Sequence, residues 1–130
     1  MDRAAVIQVL ADYFRDDSEV AAAYLFGSVA TGRSTAASDV DVGILYRRTP
    51  PATLLGQPYD QQVELAQRIG RPVQIVVMNG APPDLVHRIL RDGVLVQEAD
   101  PSTRVAFEVR ARNAYFDLMP ILREYRRSGT

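Results

Sequence analysis

Arg3 to Arg15 carries Ala4, Val6, Ile7, Leu10, Ala11 and Phe14. These steps of three and four place one apolar stripe along a helix. The charged break Asp16-Asp17-Ser18 ends it. Val20 to Phe26 is continuously apolar and bounded by Gly27-Ser28, the pattern of a short buried strand. Thr31 to Ser38, with Gly32, Ser34 and Thr35, is almost free of apolar residues and reads as a loop. Val40, Val42 and Ile44 then alternate with Asp39, Asp41 and Gly43, the two-residue period of a second strand.

Arg47 to Pro58 holds Pro50, Pro51, Gly56 and Pro58 and reads as a surface connection. Val63, Leu65, Ala66 and Ile69 predict a helix over Tyr59 to Ile69, closed by Gly70, and Pro72 to Met78 predicts strand three. A short helix follows Pro82-Pro83 and ends at Gly93, with Leu85, Val86, Ile89 and Leu90 inward; Val94 to Gln97 is a fourth strand. Asp100-Pro101 supplies a cap and a first-turn proline for a last helix reaching about Arg127. In that helix Tyr115, Leu118, Met119, Leu122 and Tyr125 share a stripe expected to cap the sheet. Phe107, Phe116 and Ile121 lie off it as a second apolar face for a partner or another copy, and Pro120 is expected to kink or split the helix. The whole pattern is that of an α/β (α+β) domain spanning 1–130: a small mixed sheet of about four strands flanked by helices, with a long C-terminal helical segment.

A chain of 130 residues that is 47% apolar suits one core. Its 15 basic and 16 acidic residues leave a formal charge of −1, so no global field points to nucleic acid or an anionic membrane as the main partner. Any anion must be held locally. With no cysteine, no apolar run near membrane-span length and no leader-like opening, the expected location is the cytoplasm. All basic side chains are arginine, which reads as genome composition rather than a selected phosphate site. His87 lacks any metal-ligand spacing and reads as a surface or packing residue.

The chemistry concentrates at two places. Asp39 and Asp41, two apart on a strand, send both carboxylates from one face about 6–7 Å apart. Such like charges raise each other's pKa and call for a cation; oxygen ligands suit Mg2+ or Mn2+, which completes its shell with water and substrate phosphate. Upstream, Gly27 permits close backbone approach and Ser28 adds a hydroxyl, a combination suited to phosphate. Arg33 is a secondary phosphate candidate from the loop.

Gly27-Ser28, ten intervening residues, then Asp39-Val40-Asp41 resembles the signature of the polymerase-beta-like nucleotidyltransferases. Ala30, Gly32-Arg33 and Ser38 fit the local pattern of the minimal nucleotidyltransferases. Arg104 to Tyr125, with Phe107-Glu108, Arg110-Ala111, Tyr115, Leu118 and Pro120, looks like the last helix of the antitoxins that pair with HEPN-domain toxins. The resemblance implies a nucleotidyltransferase fold, ATP as substrate, metal on Asp39 and Asp41, phosphates on Gly27 and Ser28, and a HEPN toxin as partner. It further implies transfer of AMP to a tyrosine of that toxin, disabling its ribonuclease site.

One position departs from the family pattern. A third carboxylate is usual in the next core strand, where this chain reads Val73-Gln74-Ile75-Val76. Gln74 is neutral and is no general base, a role worth a factor of about 10²–10⁴. Asp60, Glu64, Asp84 and Glu98 are candidate substitutes. The alternative reading is an antitoxin that neutralises by contact through the C-terminal helix; transfer to a small molecule would usually need a further acceptor-binding domain.

Overall fold

A computed structural model of the chain describes residues 1–35, 38–51 and 58–128. Parts of two predicted connections, 36–37 and 52–57 with Gly56, lie outside the described residues. The elements run α1 (Arg3–Arg15), β1 (Val20–Phe26), α2 (Gly27–Thr31), β2 (Val40–Tyr46), α3 (Tyr59–Ile69), β3 (Val73–Val77), a 3-10 turn (Met78–Gly80), α4 (Pro83–Asp92), β4 (Val94–Glu98) and α5 (Pro101–Ser128). The predicted bounds of α1, β1 and α3 hold. Three local signals end or start helices as expected: Asp2 accepts from the Ala5 N–H, Gly70 closes α3 in the left-handed conformation, and Asp100 accepts from the Thr103 N–H.

The four strands form one mixed sheet in the order β3-β2-β1-β4. β1 is antiparallel to β2 and β4, while β2 and β3 run parallel, joined through α3. Helices cover both faces. On one side Val6, Leu10 and Phe14 of α1 and Leu65 and Ile69 of α3 pack on Ala23, Leu25, Val40, Val42, Ile44, Val73 and Ile75. On the other, Val86 and Ile89 of α4 and Phe107 of α5 pack on Ala21, Ala22, Tyr24, Leu45 and Met78. This double cover is why β2 buries Gly43 and Leu45 as well as the alternating residues.

The last helix departs from its expected packing. It docks by its first half: Phe107 is buried, so it belongs to the core and not to a partner face. A polar clamp adds to it, with the Tyr24 hydroxyl donating to Glu108 at 2.7 Å and Arg104 bridging Glu98 and Glu108. The stripe expected to cap the sheet runs outward to Tyr125, which is exposed. Phe116 and Ile121 are exposed as expected. α5 continues through Pro120 without a break; the hydrogen bond that proline removes would end on the carbonyl of Phe116, an exposed position that solvent can reach. His87 packs, stacked on Tyr115 at 3.7 Å.

Candidate functional site

Three strands meet in register at one point of the sheet. Phe26, the last residue of β1, stands opposite Asp41 on β2, and Asp41 opposite Gln74 on β3. Val40, Val42, Val73 and Ile75 face α1 and α3, so the pleat turns Asp41, Gln74 and Val76 toward α4. There a cavity of about 530 Å³ opens. Phe26, Asp41, Gln74 and Val76 contribute from the sheet, Gly27, Ser28, Thr31 and Arg33 from α2 and the segment after it, and Leu85, Arg88 and Asp92 from α4.

The tightest approach is between Gly27 and Asp41. Gly27 has a φ of +75°, and a Cβ built on it would collide with Asp41 Oδ2 and stand 3.1 Å from Asp41 Cγ. Only glycine allows the main chain to lie against that carboxylate. Burial pushes the Asp41 carboxyl above its ordinary value, and the charge of Asp39 pushes it the same way. Of the two causes at Asp41, burial is the larger.

Asp39 differs in one respect from its expected place. It is exposed, immediately precedes β2, and does not line the cavity. The strand begins at Val40, whose N–H donates to the Pro72 carbonyl at 2.9 Å. Asp39 therefore hangs from a loop end, and Arg71 holds that end. Its guanidinium donates to the Ser38 carbonyl from Nε at 3.0 Å and to the Thr35 carbonyl from Nη2 at 2.8 Å. Within the same loop the Thr35 N–H donates to Ser38 Oγ at 2.8 Å. Arg71→Ala is expected to loosen Asp39 and weaken Mg2+ affinity by about 10-fold, the scale for losing a group that orients a ligand; a Mg2+ titration followed by thermal unfolding in the presence of ATP checks it.

Gln74 stands beside Asp41 on β3 and lines the cavity. Of the candidate substitutes, Glu64 accepts from the Tyr13 hydroxyl and Glu98 pairs with Arg104, and none of Asp60, Glu64, Asp84 and Glu98 lines the cavity. Asp92 does. Arg91 engages both of its oxygens and holds its carboxyl below the ordinary value, which makes Asp92 a poor base. Arg71, Arg88 and Asp92 were not among the sequence candidates. Leu85, Arg88 and Asp92, at steps of three and four, do form a stripe beside the buried Val86 and Ile89; nothing in the sequence aims that stripe at Asp41.

The donors suit a hard cation. Two carboxylates and an amide oxygen, without sulfur or imidazole, match Mg2+ or Mn2+. Among the described residues no three His, Cys, Asp or Glu side chains gather as a closed metal site. A cation on Asp39 and Asp41 would therefore take most of its shell from water and phosphate.

Comparisons with known proteins fit this geometry. A search of curated proteins finds no match. Among solved structures the chain is similar to a chain of a toxin-antitoxin complex with AMP-PNP, at 19% identity and a TM-score of 0.71, covering 95% of this chain and 98% of that one. It is similar to a chain of the complex between the tri-AMPylated HEPN toxin of Shewanella oneidensis and its MNT antitoxin, at 17% identity and a TM-score of 0.69, covering 94% and 97%. It is 30% identical to a minimal nucleotidyltransferase, with a TM-score of 0.55, over 72% of this chain and 95% of that one. The family model described as polymerase beta, nucleotidyltransferase matches residues 8–102, from α1 through the whole sheet to the start of α5. With Gly27, Ser28 and Asp41 drawn to one cavity, the chain belongs to the polymerase beta nucleotidyltransferase family.

Proposed function

We propose that this chain is a cytoplasmic antitoxin that transfers AMP from ATP to a tyrosine of a HEPN ribonuclease toxin. The observation that carries the reading is the contact of the Gly27 main chain with the Asp41 carboxylate in a cavity also lined by Ser28, Arg33 and Arg88. Main-chain donors, a hydroxyl and guanidinium groups beside a carboxylate are what a metal-bound polyphosphate requires. The likeness to an MNT antitoxin complexed with an AMPylated HEPN toxin supports the choice of acceptor.

In this reading Asp39 and Asp41 hold Mg2+ or Mn2+, which when bound supplies positive charge against the phosphates. Gly27 and Ser28 hold the triphosphate, and Arg33 steers it from the loop. The tyrosine oxygen forms a bond to the α-phosphorus as the bond to the β-phosphate oxygen breaks. Pyrophosphate leaves, and the phenolic proton passes to water, since Gln74 has no site for it. A phenol, with a pKa of about 10, gives up that proton far more readily than an aliphatic alcohol. A tyrosine acceptor thus suits a site with glutamine at position 74.

Gln74 also favours a second reading, in which the chain neutralises its partner by contact. Phe116, Ile121 and Tyr125 are 57%, 64% and 73% exposed on α5, among Arg123, Arg126 and Arg127, and would form that surface. Incubation with ATP, Mg2+ and the HEPN partner, followed by intact mass measurement, separates the two. The expected result is a gain of one or more AMP units on the partner that is lost with Asp39→Asn. A stable, silenced complex without mass gain would leave only the contact reading.

A further inference from the structure

α4 presents three faces with three different jobs. Val86 and Ile89 are buried against the sheet and α5. His87, Leu90 and Arg91 lie toward α5, where His87 stacks on Tyr115. Leu85, Arg88 and Asp92 face the cavity that holds Gly27, Ser28 and Asp41. Arg88 is exposed within that lining and forms no ion pair among the described residues. Its natural partner would be Asp92, one turn along the same face. Asp92 is already taken: Arg91 Nε donates to Oδ1 at 2.9 Å and Nη2 to Oδ2 at 2.8 Å.

We infer that Arg88 is a polyphosphate-binding residue of the nucleotide site, kept available for its anion by the Arg91–Asp92 pair. The inference rests on the nucleotide reading above. Arg88 and Arg33 line one cavity from different elements, so two guanidinium groups are available to one ligand. A single phosphate does not need both in addition to a divalent cation; a triphosphate, with its several charges, does. The fork geometry of arginine also fixes the orientation of the phosphates, which a lysine point charge does not. Arg88 is therefore expected to contribute to ATP and pyrophosphate binding and little to AMP binding.

Calorimetric titration of the wild type and Arg88→Gln with a non-hydrolysable ATP analogue, pyrophosphate and AMP, all with Mg2+, tests this. Arg88→Gln should weaken the analogue and pyrophosphate by at least about 10-fold, the scale of a lost charge-assisted hydrogen bond, and leave AMP unchanged. Arg88→Lys should recover only part of the loss. Arg91→Gln frees Asp92 to pair with Arg88 and should weaken the analogue, whereas Arg91→Gln with Asp92→Asn should restore it. A wild type that binds none of the three ligands would sink the nucleotide reading itself. A wild type that binds them, with Arg88→Gln binding all three equally well or losing AMP to the same extent, would overturn only the role of Arg88. Failure of the double variant to recover would overturn the Arg91–Asp92 safeguard. Melting curves without ligand confirm folding, which an exposed position such as 88 leaves intact.

Discussion

Replacing Asp41 with asparagine is expected to lower AMP transfer by at least about 10²-fold, the scale for removing one fixed electrostatic element from a polar active site. It should also remove most of the rise in thermal midpoint that Mg2+ and ATP give the wild type, because only binding to the native state stabilises. Without metal the same variant should be more stable than the wild type at neutral pH. The sign follows from the raised pKa. Asp41 ionises at a higher pH in the folded chain than its ordinary value of 3.8. Below that value both states carry the proton and the aspartate costs nothing. As pH rises past it, the unfolded chain releases its proton first, and stability falls until the folded carboxyl has ionised as well. Asparagine avoids that loss, so its advantage should appear above about pH 4 and vanish below it. Melting curves in EDTA across this range, set beside transfer assays, check both halves. An equal ligand-induced shift in variant and wild type would remove Asp41 from the site. This opposition of function and stability is common where a charge is retained for its ligand.

Gly27→Ala is expected to destabilise the chain and impair nucleotide binding together, and Gly32→Ala separates the causes. Both glycines have left-handed backbones, with φ of +75° and +76°. An alanine at either costs about 1–2 kcal/mol on that account. They differ in what a methyl group meets. At Gly32 nothing lies within 4 Å, whereas at Gly27 the methyl group runs into the Asp41 carboxylate. Gly32→Ala should thus lower the thermal midpoint by roughly 5 °C and keep nucleotide binding, while Gly27→Ala should lower it by roughly 5–10 °C and lose binding. Thermal melts and analogue titrations on both variants decide it. If the two behave alike, the close approach of Gly27 to Asp41 has no functional weight.

Much of this molecule is legible without coordinates because its signals are local. Apolar period, proline and glycine placement and side-chain caps act over a few residues, so α1, β1 and α3 follow directly from the chain. The Gly27-Ser28 and Asp39-Val40-Asp41 motif is also local. The antiparallel return from β1 to β2 then brings Gly27 against Asp41. Pro120 does not split α5: whether a missing donor breaks a helix depends on what else can serve the orphaned carbonyl, and so on exposure.

What the chain by itself determined is therefore the order of its elements apart from α2 and the 3-10 turn, the alternation of four strands with helices, and the pair of motifs that meet at Asp41. What only the tertiary structure decided is what surrounds that point. Arg88 and Asp92 arrive from α4, and Arg71 reaches back to the Ser38 carbonyl. Phe107 turns inward while Phe116 remains outside. Each of these depends on which face of an element meets which neighbour, a contact between distant residues that no local spacing encodes. The Gly27–Asp41 contact belongs to both: its residues are written in the motif, and its closeness comes from the register of β1 on β2.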